Sequence, residues 1–249
     1  MKTKKIFIKI VAFISIFTFY NCSNGDPLPI TTPINTTPPI VNVNVPRQFN
    51  YLALGDSYTI GQSVCETCRF PEQLRKKLGD LDPKNSYTSK IIARTGWTTT
   101  DLISAITSEN PTSNYDLVTL LIGVNNQYQN KSFSIYETQF PELVTKAISL
   151  ARGDKSNVIV VSIPDYAYTP FGKQSGNQSY ISTEIDKYNA FAQRYCLERN
   201  IEFVSITDIT REGLMNPLLV ATDGLHPSEL AYSLFVERIL PKASFAITN

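Results

Sequence analysis

Histidine occurs once in the 249 residues, at His226; tryptophan occurs once, at Trp97, and methionine twice. A single imidazole excludes zinc centres built on several histidines. Four cysteines (Cys22, Cys65, Cys68 and Cys196) are too few for a scaffold held together by disulfides. Only one long apolar run is present, at the extreme N-terminus, which excludes a polytopic membrane protein. There is no collagen-like or solenoid period. Charge is scarce, at 18% of residues, and its apparent balance hides a small bias. Residues 1–21 hold Lys2, Lys4, Lys5 and Lys9 and no acid, leaving 19 basic against 22 acidic side chains, a net of −3. A weakly acidic chain with no basic cluster is a poor nucleic-acid binder, and that class is set aside. What is plentiful is apolar material, 42% of residues, too much for a disordered chain and ample for a packed core.

The N-terminus reads as an address. Lys2 to Lys9 form a basic region, Ile6 to Tyr20 an apolar stretch too short for a permanent span, and the run ends at Asn21-Cys22-Ser23. This resembles a bacterial lipoprotein signal, cleaved after residue 21 with Cys22 lipidated, although Asn21 and Phe19 stand where such signals usually carry a small and an aliphatic residue. The resemblance implies an extracytoplasmic protein held on a membrane by its anchor, in the periplasm or at the cell surface. An ordinary secretory signal, giving a secreted protein, is the alternative. Residues 22–47, rich in Pro, Thr and Asn, have the composition of an extended tether. The globular part is expected over 48–246.

From there the pattern alternates. Strands are predicted over 50–54, 87–93, 116–122 (DLVTLLI), 157–163 (NVIVVSI) and 201–206. Helices are predicted over 71–78 with Gly79 as the stop, 99–107, 134–152 with Pro141 as a disturbance, 182–200 and 228–240. Five strands separated by helices imply a parallel sheet covered on both faces, an α/β protein. Ligands of such sheets gather at the carboxyl ends of the strands, so the polar residues there are the candidates.

Those ends carry Gly55-Asp56-Ser57-Tyr58, Gly96, Gly123-Val124-Asn125-Asn126 and Asp223-Gly224-Leu225-His226-Pro227. In order and spacing the set resembles the four blocks of the SGNH (GDSL-type) hydrolases, over roughly residues 49–246; Ile163-Pro164-Asp165-Tyr166 is also similar to extracellular members. The resemblance implies a flavodoxin-like three-layer α/β/α fold with a five-stranded parallel sheet, and ester hydrolysis through a serine nucleophile. One departure is visible: the third block usually ends in Asn-Asp, and here Asn126 stands in place of the supporting Asp.

The residues themselves suit that chemistry. A serine hydroxyl needs a base, His is the side chain whose ordinary pKa fits the task, and the chain has one. Ser57–His226 is therefore the available Ser–His pair. Asp223, three residues before His226, can accept from imidazole Nδ1 and turn Nε2 toward Ser57. The developing oxyanion needs donors, which the resemblance assigns to the backbone N–H groups of Ser57 and Gly96 and the side-chain amide of Asn125. Gly96 is expected to serve by leaving room for the substrate oxygen. Taken singly, each block has a plainer explanation: Ser57 as a helix cap, Gly96 as a strand end, Asn125 as a turn residue, His226 as a structural histidine.

Other features are secondary. Cys65 and Cys68 have redox or metal spacing, but with no second pair a metal site lacks ligands, and a local disulfide is expected in an oxidising compartment. Cys196 is expected as a buried small hydrophobe. Trp97, Tyr166, Tyr168 and Phe171 follow strand ends and are candidates for a substrate pocket. The expected substrate is a small ester or an acylated carbohydrate or lipid. The triad and its amide donors call for no metal or organic cofactor. Two alternatives remain open at this stage: a glycan- or lipid-binding surface lipoprotein without turnover, and an acyltransferase using the same triad.

Overall fold

The structure, a computed structural model, describes residues 45–248. The signal-like segment, Cys22 and residues 22–44 of the expected tether lie outside the described residues. Among the described residues no helix is long and apolar enough to cross a membrane.

The elements run β1 (Gln48–Gly55), α1 (Ser57–Ile60), α2 (Phe70–Leu81), β2 (Ser86–Ala93), α3 (Thr99–Glu109), β3 (Leu117–Leu121), α4 (Val124–Tyr128), α5 (Phe133–Leu150), β4 (Val158–Val161), α6 (Pro170–Gln174), α7 (Gln178–Arg199), β5 (Glu202–Val204), α8 (Thr207–Arg211) and α9 (Glu229–Thr248). All five strands are parallel, in the order β2-β1-β3-β4-β5. Every residue of β3 and β4 is buried, as an apolar run covered on both faces requires. Helices α2 and α9 pack together, and α5 packs with α3 and α7. The order reverses direction between β1 and β3, and sheets of this order bind ligands in the crevice at that point. The expected three-layer α/β fold with a five-stranded parallel sheet is what the structure shows.

Two helix ends and one helix interior differ from expectation. Gly79 does not stop α2, which continues to Leu81 and ends at Asp82; Pro83 disfavours helical backbone in the residue before it, and Asp82 has φ −136° and ψ 80°. Pro141 lies inside a continuous α5. Helix α9 passes through Pro241 to Thr248 because Ala243, Ala246 and Ile247 are buried, so packing outweighs the one backbone bond a proline removes.

Candidate active site

The site begins at the end of β1. Gly55 is required by close approach, since a Cβ there would stand 2.5 Å from the Leu121 carbonyl oxygen and 2.1 Å from Thr59 Oγ1. Asp56 then caps α1, its Oδ1 accepting from Tyr58 N–H at 3.0 Å, and Ser57 opens the helix. The amide at a helix start has no acceptor within the helix. Asp56 is wholly buried and its Oδ2 has no partner among the described residues. Burial pushes its carboxyl up to about 7, outweighing the capping bond, which acts to lower it.

The end of β2 supplies Thr95 and Gly96. Gly96 has φ +83°, a backbone conformation that favours glycine, and a Cβ there would meet no protein atom within 4 Å. The loop is tied to α4 at two points. Gln129 Nε2 donates to the Gly96 carbonyl at 2.9 Å, and Asn125 Nδ2 donates to the Trp97 carbonyl at 3.0 Å. An amide nitrogen carries two hydrogens, so Asn125 keeps one for the cavity it lines. Asn126, fully buried, takes the Thr99 backbone N–H on Oδ1 at 3.0 Å and gives Nδ2 to Thr99 Oγ1 at 2.7 Å, pinning the start of α3.

The histidine loop closes the far side. Ala221 N–H donates to the His226 carbonyl at 2.7 Å and Ser228 N–H to Leu219, with an antiparallel bridge between Val220 and Pro227. Asp223 folds back on this loop: Oδ1 accepts the N–H groups of Leu225 and His226 at 2.9 and 3.0 Å, and Oδ2 lies 2.6 Å from His226 Nδ1 and 2.6 Å from Ser63 Oγ. Burial acts to raise this carboxyl, but the bonds from Ser63, His226 and the two amides prevail and hold it down at about 2. An ionised carboxylate only accepts, so the proton between them sits on Nδ1 and Nε2 is left as the acceptor.

Ser57, Gly96, Asn125 and His226 line one cavity of about 220 Å³. Among the described residues, neither the Ser57 hydroxyl nor His226 Nε2 is hydrogen-bonded, to each other or to a third group. Of the aromatic candidates, Tyr166 and Phe171 line the cavity; Trp97 and Tyr168 do not. Trp97 packs against the core, and Tyr168 lies near the Arg211 guanidinium. Tyr58, Thr95, Val124, Tyr128 and Leu225 complete the lining and were not singled out for it by sequence. Tyr128 is the fourth residue after Val124 in a helix that directly follows β3, which was the available signal. Tyr166 is held by its hydroxyl donating to Gln127 at 2.8 Å and by the buried Asp165, which accepts from Ala167 N–H, Ser182 and Arg211. Cys65 and Cys68 are joined by a disulfide, and Cys196 is fully buried. Among the described residues no group of three or more His, Cys, Asp or Glu could hold a metal ion.

Proteins of known family and structure resemble this chain. No curated protein sequence matches it. A lipolytic protein of the G-D-S-L family from Veillonella parvula has a similar structure, with TM-score 0.60 and 18% identity over 78% of this chain and 97% of that one. An acetylxylan esterase from Geobacillus stearothermophilus gives 0.59 and 19% over 80% and 95%, and a lipase/acylhydrolase from Enterococcus faecalis 0.60 and 18% over 79% and 96%. At such identities the likeness is one of fold. Residues 53–234, most of the chain, match the profile of the GDSL-like lipase/acylhydrolase family. The chain belongs to that family and is a hydrolase acting on ester bonds.

Proposed function

We propose that the chain is a serine esterase working through an acyl-enzyme on Ser57. His226 Nε2 takes the Ser57 proton as Oγ attacks the ester carbonyl. The tetrahedral oxyanion is met by the N–H groups of Ser57 and Gly96 and by the free amide hydrogen of Asn125. His226 then returns the proton to the departing alcohol oxygen, leaving the acyl group on Ser57. Water enters, gives its proton to Nε2 and attacks the acyl carbonyl; collapse releases the carboxylic acid and restores the serine. Asp223 holds the imidazole by Nδ1 and stabilises its charged form. The observation that carries this proposal is the 2.6 Å Asp223–His226 contact on a loop whose imidazole shares one cavity with Ser57.

The cavity also favours a substrate class. Apart from His226 it is lined by no basic or acidic side chain, and Tyr128, Tyr166 and Phe171 form one wall, their ring centroids 5.9 to 6.5 Å apart. Such a wall suits a short uncharged acyl group, with the exposed Tyr128 and Phe171 offering faces to a sugar ring of the alcohol portion. Short acyl esters of carbohydrates are the proposed substrates. The lipoprotein-like N-terminus supports an extracytoplasmic setting with an anchor at Cys22.

Ser57→Ala is expected to abolish hydrolysis of a short nitrophenyl ester and labelling by a fluorophosphonate probe, with the melting temperature retained. Undiminished turnover in that variant would overturn the proposal. Activity is also expected to fall on acidification through the range where imidazole titrates, ordinarily near ~6.5. A flat rate profile from about pH 5 to 8 would remove His226 as the base.

A further inference from the structure

The loop over residues 61–69, between α1 and α2, contributes no side chain to the cavity. It nonetheless contains three features that point the same way. Ser63 has φ +68°, in the left-handed region that side chains avoid. Among the described residues the other non-glycine positions of that kind are Asn110, Asn130, Asn200 and Arg152, and asparagine is the type that tolerates it. Serine is therefore a poor choice for the backbone at 63, and the side chain must supply the reason. The second feature is that side chain's contact: Ser63 Oγ donates to Asp223 Oδ2 at 2.6 Å, across 160 positions of sequence. The third is the Cys65–Cys68 bridge, which closes the loop two residues further on.

We infer that Ser63 is a positioning residue for the catalytic pair, holding the Asp223 carboxylate in the orientation that His226 needs. This rests on the proposed roles of Ser57, His226 and Asp223. The geometry supplies the cause. Two backbone amides fix Oδ1, but torsion about Cβ–Cγ still swings Oδ2 away from Nδ1 unless that oxygen is held as well. Asp223 is solvent-exposed, so water competes for Oδ2 whenever the carboxylate turns. The Ser63 hydroxyl occupies that second oxygen alongside the imidazole, and the bridged loop presents it.

The chain's single histidine gives a direct readout, because only one imidazole titrates in a proton NMR spectrum. Other titratable groups face this pair. Tyr58, whose ring centroid is 5.3 Å from that of His226, and Tyr232 are phenols that burial pushes far above neutrality, so they stay uncharged. Asp56, raised to about 7, titrates in the working range but has no bond to Ser63, so its contribution is common to wild type and variant.

The test compares the full chain with Ser63→Gly. Glycine suits φ +68°, so a purely structural role predicts unchanged or higher stability and wild-type catalysis. The positioning role predicts retained stability with kcat lowered about threefold to tenfold and KM changed by less than about twofold. It also predicts that the imidazole midpoint and the acid limb of the rate profile move downward together by a few tenths of a pH unit. The sign follows because a carboxylate that turns away from Nδ1 stabilises the imidazolium less. Ser63→Asn, which tolerates the same backbone and carries an N–H donor, is expected to recover part of kcat. Wild-type kcat and an unmoved midpoint in Ser63→Gly, with Ser57→Ala inactive, would overturn this inference alone. Undiminished turnover in Ser57→Ala would overturn the triad and this role with it.

Discussion

Asp56 and Asp223 flank the candidate site, and their surroundings are opposite. Asp56 ends a central strand, is fully buried, receives one backbone N–H and leaves Oδ2 without a partner. Asp223 sits on a surface loop and receives four donors. Burial raises the first carboxyl to about 7, while hydrogen bonds carry the second down to about 2. Full burial with a single donor and partial exposure with four donors act in opposite directions, and together they separate the two carboxyls. The proposed triad uses the aspartate that is charged at every working pH, and the one nearer the serine in sequence is a cap whose charge burial opposes.

The sharpest way to break this comparison is to neutralise each carboxyl in turn. Asp223→Asn keeps the shape but offers an amide that no longer fixes the imidazole tautomer, and kcat is expected to fall about 10³–10⁴-fold. Asp56→Asn retains an oxygen for the Tyr58 amide and is expected to stay within about threefold of wild type. Steady-state kinetics on an ester that both variants bind would decide it; equal losses would abolish the distinction.

The next effect is on stability against pH. A carboxyl whose folded pKa lies above its unfolded value binds more protons in the folded state, so stability falls as pH rises between the two. For Asp56 that window runs from 3.8 to about 7. For Asp223, lowered from 3.8 to about 2, stability is present above the window and lost as pH falls through it. Denaturant titrations across pH should therefore show stability rising from about 2 to 4 and declining from 4 to 7. Asp56→Asn should flatten only the declining limb, a change on the order of 4 kcal/mol at most. A decline that persists in Asp56→Asn would assign it to other groups.

The same contrast explains what was legible in sequence. The strands and the nucleophile turn are local facts: DLVTLLI and NVIVVSI announce buried parallel strands, and Gly55-Asp56-Ser57 follows the first strand directly. His226 and Asp223 were legible for the same reason, lying three residues apart. The cavity wall was only half legible. Trp97 and Tyr168 follow strand ends as Tyr166 and Phe171 do, yet they turn elsewhere, because a loop side chain's direction is set by bonds to distant elements, such as those made by Asp165 with Ser182 and Arg211. Leu225 was missed for that reason, Tyr128 because the short helix α4 was not read from the sequence, and Ser63, 160 positions from its partner, left no periodic or motif signal at all. The end of α2 went astray because Gly79 was read as a stop, and that of α9 because the buried Ala243, Ala246 and Ile247 beyond Pro241 were not counted.

The smallest expected effect lies at Asn126, where the chain departs from its family. Its amide faces both ways: Oδ1 holds the Thr99 amide, and Nδ2 feeds Thr99 Oγ1, whose own hydrogen goes to Gln139 at 2.6 Å. An aspartate at 126 can still accept from the Thr99 amide, and the Thr99 hydroxyl can turn to donate to the second carboxylate oxygen. Gln139 then loses that donor but keeps Thr100, whose hydroxyl lies 3.0 Å away. The start of α3 stays anchored either way, and Asn125, which faces the cavity, keeps its bond to Trp97. Asn126→Asp should therefore keep kcat/KM within about threefold. Burying a carboxylate where an amide stood should lower stability by about 1 kcal/mol near neutrality, and less at pH 4 where the acid is partly protonated. A large loss of kcat with stability intact would show that Asn126 acts on the oxyanion donors beyond anchoring α3.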